Sequence, residues 1–99
     1  MVFDGAMENS MPELEIDISE LSKYMEDGYE LIDVRDELSF AYGNIKGSVN
    51  IPGEKLLENA AEYTGRKLLL YCKRGETSLE LAEALHEQGT GALSLKGGY

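Results

Sequence analysis

The sequence predicts an α/β domain in which a mainly parallel central sheet is flanked by helices. Short apolar segments typical of strands alternate along the chain with segments whose apolar residues repeat at helical spacing. One strand segment, residues 67–71, is apolar after its first residue, as expected of a strand buried on both faces. A chain of 99 residues is long enough for one domain with its own core, and it contains no internal repeat.

The first elements are expected to be a strand, a helix and a second strand. Residues 14–18 alternate apolar and polar side chains, which favours a half-buried strand. Ser19 is expected to cap a short amphipathic helix that ends at Gly28. Residues 31–34 then predict the second strand. Residues 1–13 show no period of either kind, so we expect a flexible leader before a single domain over residues 14–99.

The rest of the chain continues this alternation and carries one long loop. The pattern predicts a helix, a strand, a helix, a strand, a helix and a strand at residues 36–42, 49–51, 54–63, 67–71, 78–88 and 92–95. The most apolar of these strands is expected to occupy the centre of the sheet. The loop over residues 72–77 leads from this strand into the last helix.

Composition and charge exclude several classes of function. A net charge of −10 opposes binding to nucleic acids and to anionic membranes, so a basic protein is the more plausible macromolecular partner. No apolar run approaches the roughly 20 residues of a membrane helix. The first thirteen residues contain no Lys or Arg, unlike a secretory signal, and we expect a cytoplasmic location. With one cysteine and no ligand spacing, neither a metal nor another cofactor is expected.

The single cysteine, Cys72, is the candidate nucleophile. It follows the predicted central strand and therefore lies at the carboxyl edge of the sheet, where open α/β sheets bind their ligands. Gly75 allows the loop to turn its N–H groups inward toward an anion, and Lys73 and Arg74 add positive charge. These features stabilise a thiolate. A buried, inert cysteine is the alternative, and the local pattern leaves both open.

Three stretches of the sequence resemble the signatures of the rhodanese family, in the family's order and spacing. They are residues 31–35 with Phe40 and 43–52, residues 71–78, and residues 95–99. The resemblance implies a small three-layer rhodanese-like domain with sulfurtransferase activity. Cys72 would carry sulfane sulfur as a persulfide from a donor anion to a nucleophile such as cyanide, a thiol or a protein acceptor. Asp33 and Arg35 would be framework residues near the site.

The loop is similar to that of family members that use thiosulfate as the sulfur donor. The resemblance implies that Lys73, Arg74, Gly75 and Thr77 hold the donor. Glu76 departs from this favourable arrangement, because it places a carboxylate in the loop where a dianion must approach. We therefore expect Glu76 to influence the choice of substrate.

Two other classes of function are alternatives to a sulfurtransferase. A cysteine phosphatase of this superfold needs an arginine six residues after Cys72, and Ser78 stands there. A non-catalytic interaction or regulatory module that keeps the rhodanese fold is the main alternative. Family domains also continue past the Gly-Gly-aromatic turn into a terminal helix, whereas this sequence ends at Tyr99, so a domain without that helix is expected.

Overall fold

The computed structural model describes residues 14–99, and the leader expected over residues 1–13 lies outside the described residues. The strands are β1 (Glu15–Ile16), β2 (Glu30–Asp33), β3 (Val49–Asn50), β4 (Lys67–Tyr71) and β5 (Gly91–Leu95). They form one sheet in the order β1-β5-β4-β2-β3, with every neighbouring pair parallel. The predicted parallel sheet is confirmed, and the apolar strand β4 is central as expected.

Four helices complete an α/β fold of three layers. They are α1 (Leu21–Glu26), α2 (Glu37–Tyr42), α3 (Gly53–Glu58) and α4 (Glu76–Glu87). On one face of the sheet, Leu56 of α3 and Leu81 of α4 pack with Ile32 and Leu70 in a buried cluster. On the other face, residues of α1 pack against a second cluster built on β1, β2, β4 and β5. Apolar residues therefore cover both faces, which explains why β4 has no exposed side. Within residues 14–99, no helix is long and apolar enough to cross a membrane.

The expected cap of the first helical segment was wrong. Asp17, not Ser19, is the N-cap of a 3-10 turn over Ile18–Glu20 that leads into α1. The Asp17 carboxylate accepts a hydrogen bond from the Ser19 N–H at 3.0 Å, and Glu20 bonds back to the Asp17 N–H at 3.3 Å. This reciprocal capping box takes Asp17 out of the strand. It explains why β1 is shorter than the expected strand over residues 14–18.

The helix expected over residues 54–63 is divided in two. α3 ends at Glu58, and a 3-10 turn follows over Ala60–Tyr63. Between them, the Asn59 side chain donates a hydrogen bond of 2.9 Å to the Lys55 carbonyl oxygen. Asparagine side chains compete in this way with backbone hydrogen bonds, which accounts for the break.

The strand order creates a crevice at the carboxyl edge of β2 and β4. The chain leaves β2 toward β3 and leaves β4 toward β5, which lie on opposite sides of this central pair. Parallel sheets bind ligands at such a switch point. The ladder continues past the strand ends, since the Val34 N–H donates to the Tyr71 carbonyl oxygen at 3.0 Å. The residues that follow Asp33 and Tyr71, which are register partners, are therefore held side by side.

Candidate active site

The Cys72 loop is tighter than the sequence predicted. α4 begins at Glu76 rather than at Ser78, so the loop between β4 and α4 covers residues 72–75 only. Gly75 takes the cap position with φ +96°, in the left-handed region that glycine adopts without strain. Glu76 then lies in the first turn of the helix, where the helix dipole favours a carboxylate. The early start of α4 brings its first N–H groups toward the cysteine.

The Cys72 sulfur lies within a set of hydrogen-bond donors. The Gly75 N–H donates to Sγ at 3.0 Å and the Ser78 N–H at 3.3 Å. The Ser78 hydroxyl oxygen is 3.3 Å from the same sulfur. Cys72 is 6% exposed, so these groups replace the water that would otherwise solvate a thiolate. The geometry is that of an anion-binding loop.

These contacts lower the pKa of the Cys72 thiol. Burial, the largest single effect, raises the pKa because it disfavours the charged form. The hydrogen bonds from the Ser78 hydroxyl and N–H, with those from the Arg74 and Gly75 N–H groups, together outweigh burial. The net result is a thiol pKa below its ordinary value. A larger fraction of Cys72 is therefore thiolate near neutral pH, as a nucleophile requires.

Ser78 and Ser94 are site residues that the sequence analysis missed. Ser78 was predicted to begin the last helix and was noted as the residue that replaces a phosphatase arginine, but it was given no role at the sulfur, and Ser94 of β5 was not singled out. Both are fully buried, and their hydroxyl oxygens lie 2.7 Å apart. The sequence did contain a signal for Ser94. Side chains two residues apart on a strand point to the same face, so Ser94 lies on the same buried face as Ala92, where a polar residue is unusual.

Cys72 opens onto a cleft of about 580 Å³ at the switch point. The cleft is lined by Val34, Arg35, Asp36, Ser39, Tyr42, Cys72, Lys73, Thr77 and Tyr99. A smaller adjoining depression of about 330 Å³ is lined by Cys72, Lys73, Arg74, Glu76 and Thr77. The structure thus gathers the candidate loop residues around one opening, except Gly75, which is buried beneath it. Another depression of about 410 Å³ lies against α1 and is lined by Lys23, Tyr24, Glu26 and Asp27, away from Cys72.

The charged side chains at this opening are exposed and available to a ligand. Lys73, Arg74 and Glu76 are all exposed, and across residues 14–99 none of them forms an ion pair. Two cations and one carboxylate therefore face the same depression. In the same part of the chain, no cluster of three or more His, Cys, Asp or Glu side chains could hold a metal ion.

Asp33 and Arg35 form an ion pair in which the carboxylate is fully buried and the partly buried Arg35 lines the cleft. Arg35 donates to the fully buried Asp33 carboxylate from Nε at 3.0 Å and from Nη2 at 2.7 Å. Burial by itself would raise the Asp33 pKa, but the hydrogen bonds from Arg35 and Tyr71 lower it overall. Arg35 also donates to the Gly43 carbonyl oxygen at 2.6 Å and lies over the Tyr99 ring at 4.6 Å. This pair joins the end of β2 to the segment after α2.

The fold and the site define an α/β domain with a cysteine held in an anion-binding loop at the carboxyl edge of a parallel sheet. The family model for the rhodanese-like domain matches residues 17–99, and the chain belongs to this family. The family resemblance seen in the sequence is thereby confirmed.

Several proteins that are similar to this chain are named sulfurtransferases. The chain is 32% identical over 92 residues to the thiosulfate sulfurtransferase GlpE of Haemophilus influenzae, covering 90% of this chain and 87% of that protein. It is 34% identical over 76 residues to GlpE of Pseudomonas aeruginosa, covering 75% and 69%. The human single-domain sulfurtransferase TSTD1 superposes with a TM-score of 0.73 at 26% identity, covering 89% and 93%. A rhodanese homologue of Thermus thermophilus gives 0.71 at 30% identity, covering 86% and 95%.

Proposed function

We propose that this protein is a sulfurtransferase that moves sulfane sulfur from a donor anion such as thiosulfate to a nucleophilic acceptor, through a persulfide on Cys72. One observation carries the proposal: the buried Cys72 sulfur accepts hydrogen bonds from the N–H groups of Gly75 and Ser78, and Cys72 lines a cleft. The family and the named relatives support the same activity.

The transfer needs no cofactor in either half. The Cys72 thiolate attacks the outer sulfur of thiosulfate, a bond forms between Sγ and that sulfur, and the sulfur–sulfur bond of the donor breaks. Its electron pair leaves on sulfite. An acceptor such as cyanide then attacks the outer sulfur of the persulfide and becomes thiocyanate. The electron pair of the Sγ–sulfur bond returns to Cys72, so the enzyme is regenerated without an external oxidant.

The loop side chains would hold the donor during the first half of the reaction. Lys73 and Arg74 are exposed cations beside Cys72 that form no ion pair within residues 14–99, and Thr77 lines both depressions. Two cations suit a dianion, and the hydroxyl of Thr77 can donate to one of its oxygens. The Glu76 carboxylate opposes this attraction, and it would repel a donor with less negative charge than thiosulfate less strongly.

The sulfur acceptor would reach the Cys72 persulfide through the same cleft. Its volume of about 580 Å³ leaves room for a small nucleophile or for the thiol of a protein side chain. Because the chain carries a net charge of −10, a protein acceptor would be favoured by a basic surface. A cytoplasmic location, where thiols are kept reduced, would suit both halves of this reaction.

Sulfur loading of the intact protein tests the proposal directly. Incubation with thiosulfate should add the mass of one sulfur atom, and cyanide should then remove it as thiocyanate. Cys72→Ser should remain folded and neither gain the sulfur nor turn over. A wild-type chain that stays unmodified with thiosulfate and with other sulfane donors would identify the non-catalytic interaction module instead. Turnover retained by Cys72→Ser would exclude Cys72 as the carrier.

A further inference from the structure

Behind the Cys72 loop, two serine hydroxyls form a buried chain that ends on the sulfur. Ser94 of β5 faces α4 and does not line the cleft. Its hydroxyl oxygen is 2.7 Å from that of Ser78, which is 3.3 Å from Cys72 Sγ. Ser78 and Ser94 are both 0% exposed, so water does not compete for these hydrogen bonds.

The number of protons in this chain restricts its arrangement. The Ser78 hydroxyl has one proton and two acceptors besides Ser94, namely Cys72 Sγ and the Gly75 carbonyl oxygen, each at 3.3 Å. When Cys72 is a thiolate it cannot donate, so the favourable arrangement directs the Ser78 proton to the sulfur. The Ser78 oxygen then accepts a hydrogen bond from the Ser94 hydroxyl. A hydroxyl that accepts one hydrogen bond is a stronger donor in the next.

We propose that Ser94 is a positioning residue for the Cys72 thiolate: its hydroxyl donates to Ser78 and thereby directs the Ser78 proton to the sulfur. Ser94 touches neither substrate nor sulfur and acts only through Ser78. The inference rests on the proposed function for its importance to sulfur transfer, but the stabilisation of the thiolate can be measured separately. Without the Ser94 hydroxyl, Ser78 is a weaker donor and its proton is shared with the Gly75 carbonyl oxygen.

Alkylation of Cys72 by iodoacetamide as a function of pH measures the thiolate without any sulfur donor. Because the chain has one cysteine, the rate reports Cys72 alone. Ser94→Ala should shift the profile to higher pH and lower the rate on its acidic side by about two- to fivefold, with the alkaline plateau retained. Thr90→Val is the matched control, since the buried Thr90 hydroxyl has no hydrogen-bond partner among the described residues. It should leave the profile unchanged.

A double-variant test separates action through Ser78 from a general loosening of the structure. In a Ser78→Ala background, Ser94→Ala should produce no further shift, because the hydroxyl it acts through is gone. Ser94→Thr and Ser94→Val have nearly the same shape and differ in the hydroxyl. Ser94→Thr should keep a pH profile close to that of the wild type, whereas Ser94→Val should shift the profile to higher pH. Because both variants add the same bulk, any disturbance of packing affects both, and the difference between them reports the hydroxyl. Thermal unfolding of each variant checks that the fold is retained.

The outcomes distinguish this inference from the proposed function. An unshifted profile in Ser94→Ala, an equal shift in the Ser78→Ala background, or no difference between Thr and Val would overturn the role of Ser94. If the profile shifts as expected while thiosulfate and other donors load no sulfur, the positioning role stands and the sulfurtransferase proposal fails. If sulfur is loaded while the profile is unaffected, the reverse holds.

Discussion

The Tyr99 N–H donates a hydrogen bond of 2.8 Å to the carbonyl oxygen of Cys72. The turn after β5 is therefore seated directly on the loop that carries Cys72. Gly98, within this turn, has φ +69°, and a Cβ atom there would overlap the Cys72 carbonyl oxygen and the Lys73 backbone. The loop cannot keep its shape unless this position has no side chain.

We expect Gly98→Ala to displace the Cys72 loop and reduce sulfur loading at least tenfold. The added methyl group meets backbone atoms, which cannot rotate away as a side chain could. Gly97→Ala is the matched control, because Gly97 has φ +84° and nothing within 4 Å of the added Cβ. The control should lose about 1 kcal/mol from backbone strain and keep its activity. Equal loading rates in the two variants would show that the close approach does not matter.

The alkylation profile of wild-type Cys72 should have its midpoint below the ordinary cysteine pKa of about 8.5. A lowered pKa means that the thiolate is present at lower pH, so alkylation should remain fast as the pH falls toward neutrality. The cause is the set of hydrogen bonds to Sγ, which outweighs burial. Ser78→Ala removes one of them and should shift the midpoint upward. A wild-type midpoint at or above the ordinary value would contradict this account.

Asp33→Asn should destabilise the fold by about 3 kcal/mol, because it leaves the Arg35 guanidinium largely buried beside a neutral partner. Urea unfolding at neutral pH measures this change in the free energy of unfolding. The exposed pair of Asp27 and Lys67 is the comparison, and Asp27→Asn should change stability by less than about 1 kcal/mol. Similar losses in both variants would show that burial does not strengthen the first pair.

The ion pair of Asp33 and Arg35 should also make the free energy of unfolding of the wild type decrease at acidic pH. Because the folded-state pKa of Asp33 is lowered, its contribution is present above the unfolded value of about 3.9 and is lost as the pH falls through the folded value. Asp33→Asn should lack this part of the acid dependence. Parallel curves for the free energy of unfolding against pH in the two proteins would disprove the assignment.

Glu76→Gln should speed loading by thiosulfate about two- to threefold at low ionic strength, because it removes a negative charge that lines the Cys72 depression. Glu80→Gln is the matched control: it makes the same change in net charge at an exposed position of α4 that does not line this depression. Stopped-flow or quenched loading rates compare them. An equal acceleration in both variants would assign the effect to net charge alone.

Added salt should accelerate loading of the wild type by an anionic donor, because salt screens the repulsion from a net charge of −10. The measurement is the loading rate at increasing concentrations of potassium chloride. A steep slowing would show instead that Lys73 and Arg74 dominate the field at the cleft.

Local patterns in the sequence were sufficient for the class of fold and for the position of the candidate nucleophile. The apolar segment at residues 67–71 predicted the central strand. Because Cys72 directly follows this strand, it was predicted to lie at the carboxyl edge of the sheet. These features depend on periodicity and on the order of elements, both of which can be seen in a single chain. The predicted start of α4 at Ser78 and the predicted cap at Ser19 were each two residues too late, since α4 begins at Glu76 and the cap is Asp17. Competing cap residues one or two positions apart have similar local preferences.

The environment of the sulfur was decided by the tertiary structure alone. Ser78 and Ser94 are sixteen residues apart in the chain, and they meet because β5 pairs with β4 in one particular register. Likewise, Tyr99 reaches Cys72 only because the carboxyl ends of these parallel strands lie at the same edge. Such contacts depend on strand order and packing, which no local period encodes. The sequence by itself therefore indicated Cys72 as the candidate nucleophile, and the assembled sheet determined which donors surround its sulfur.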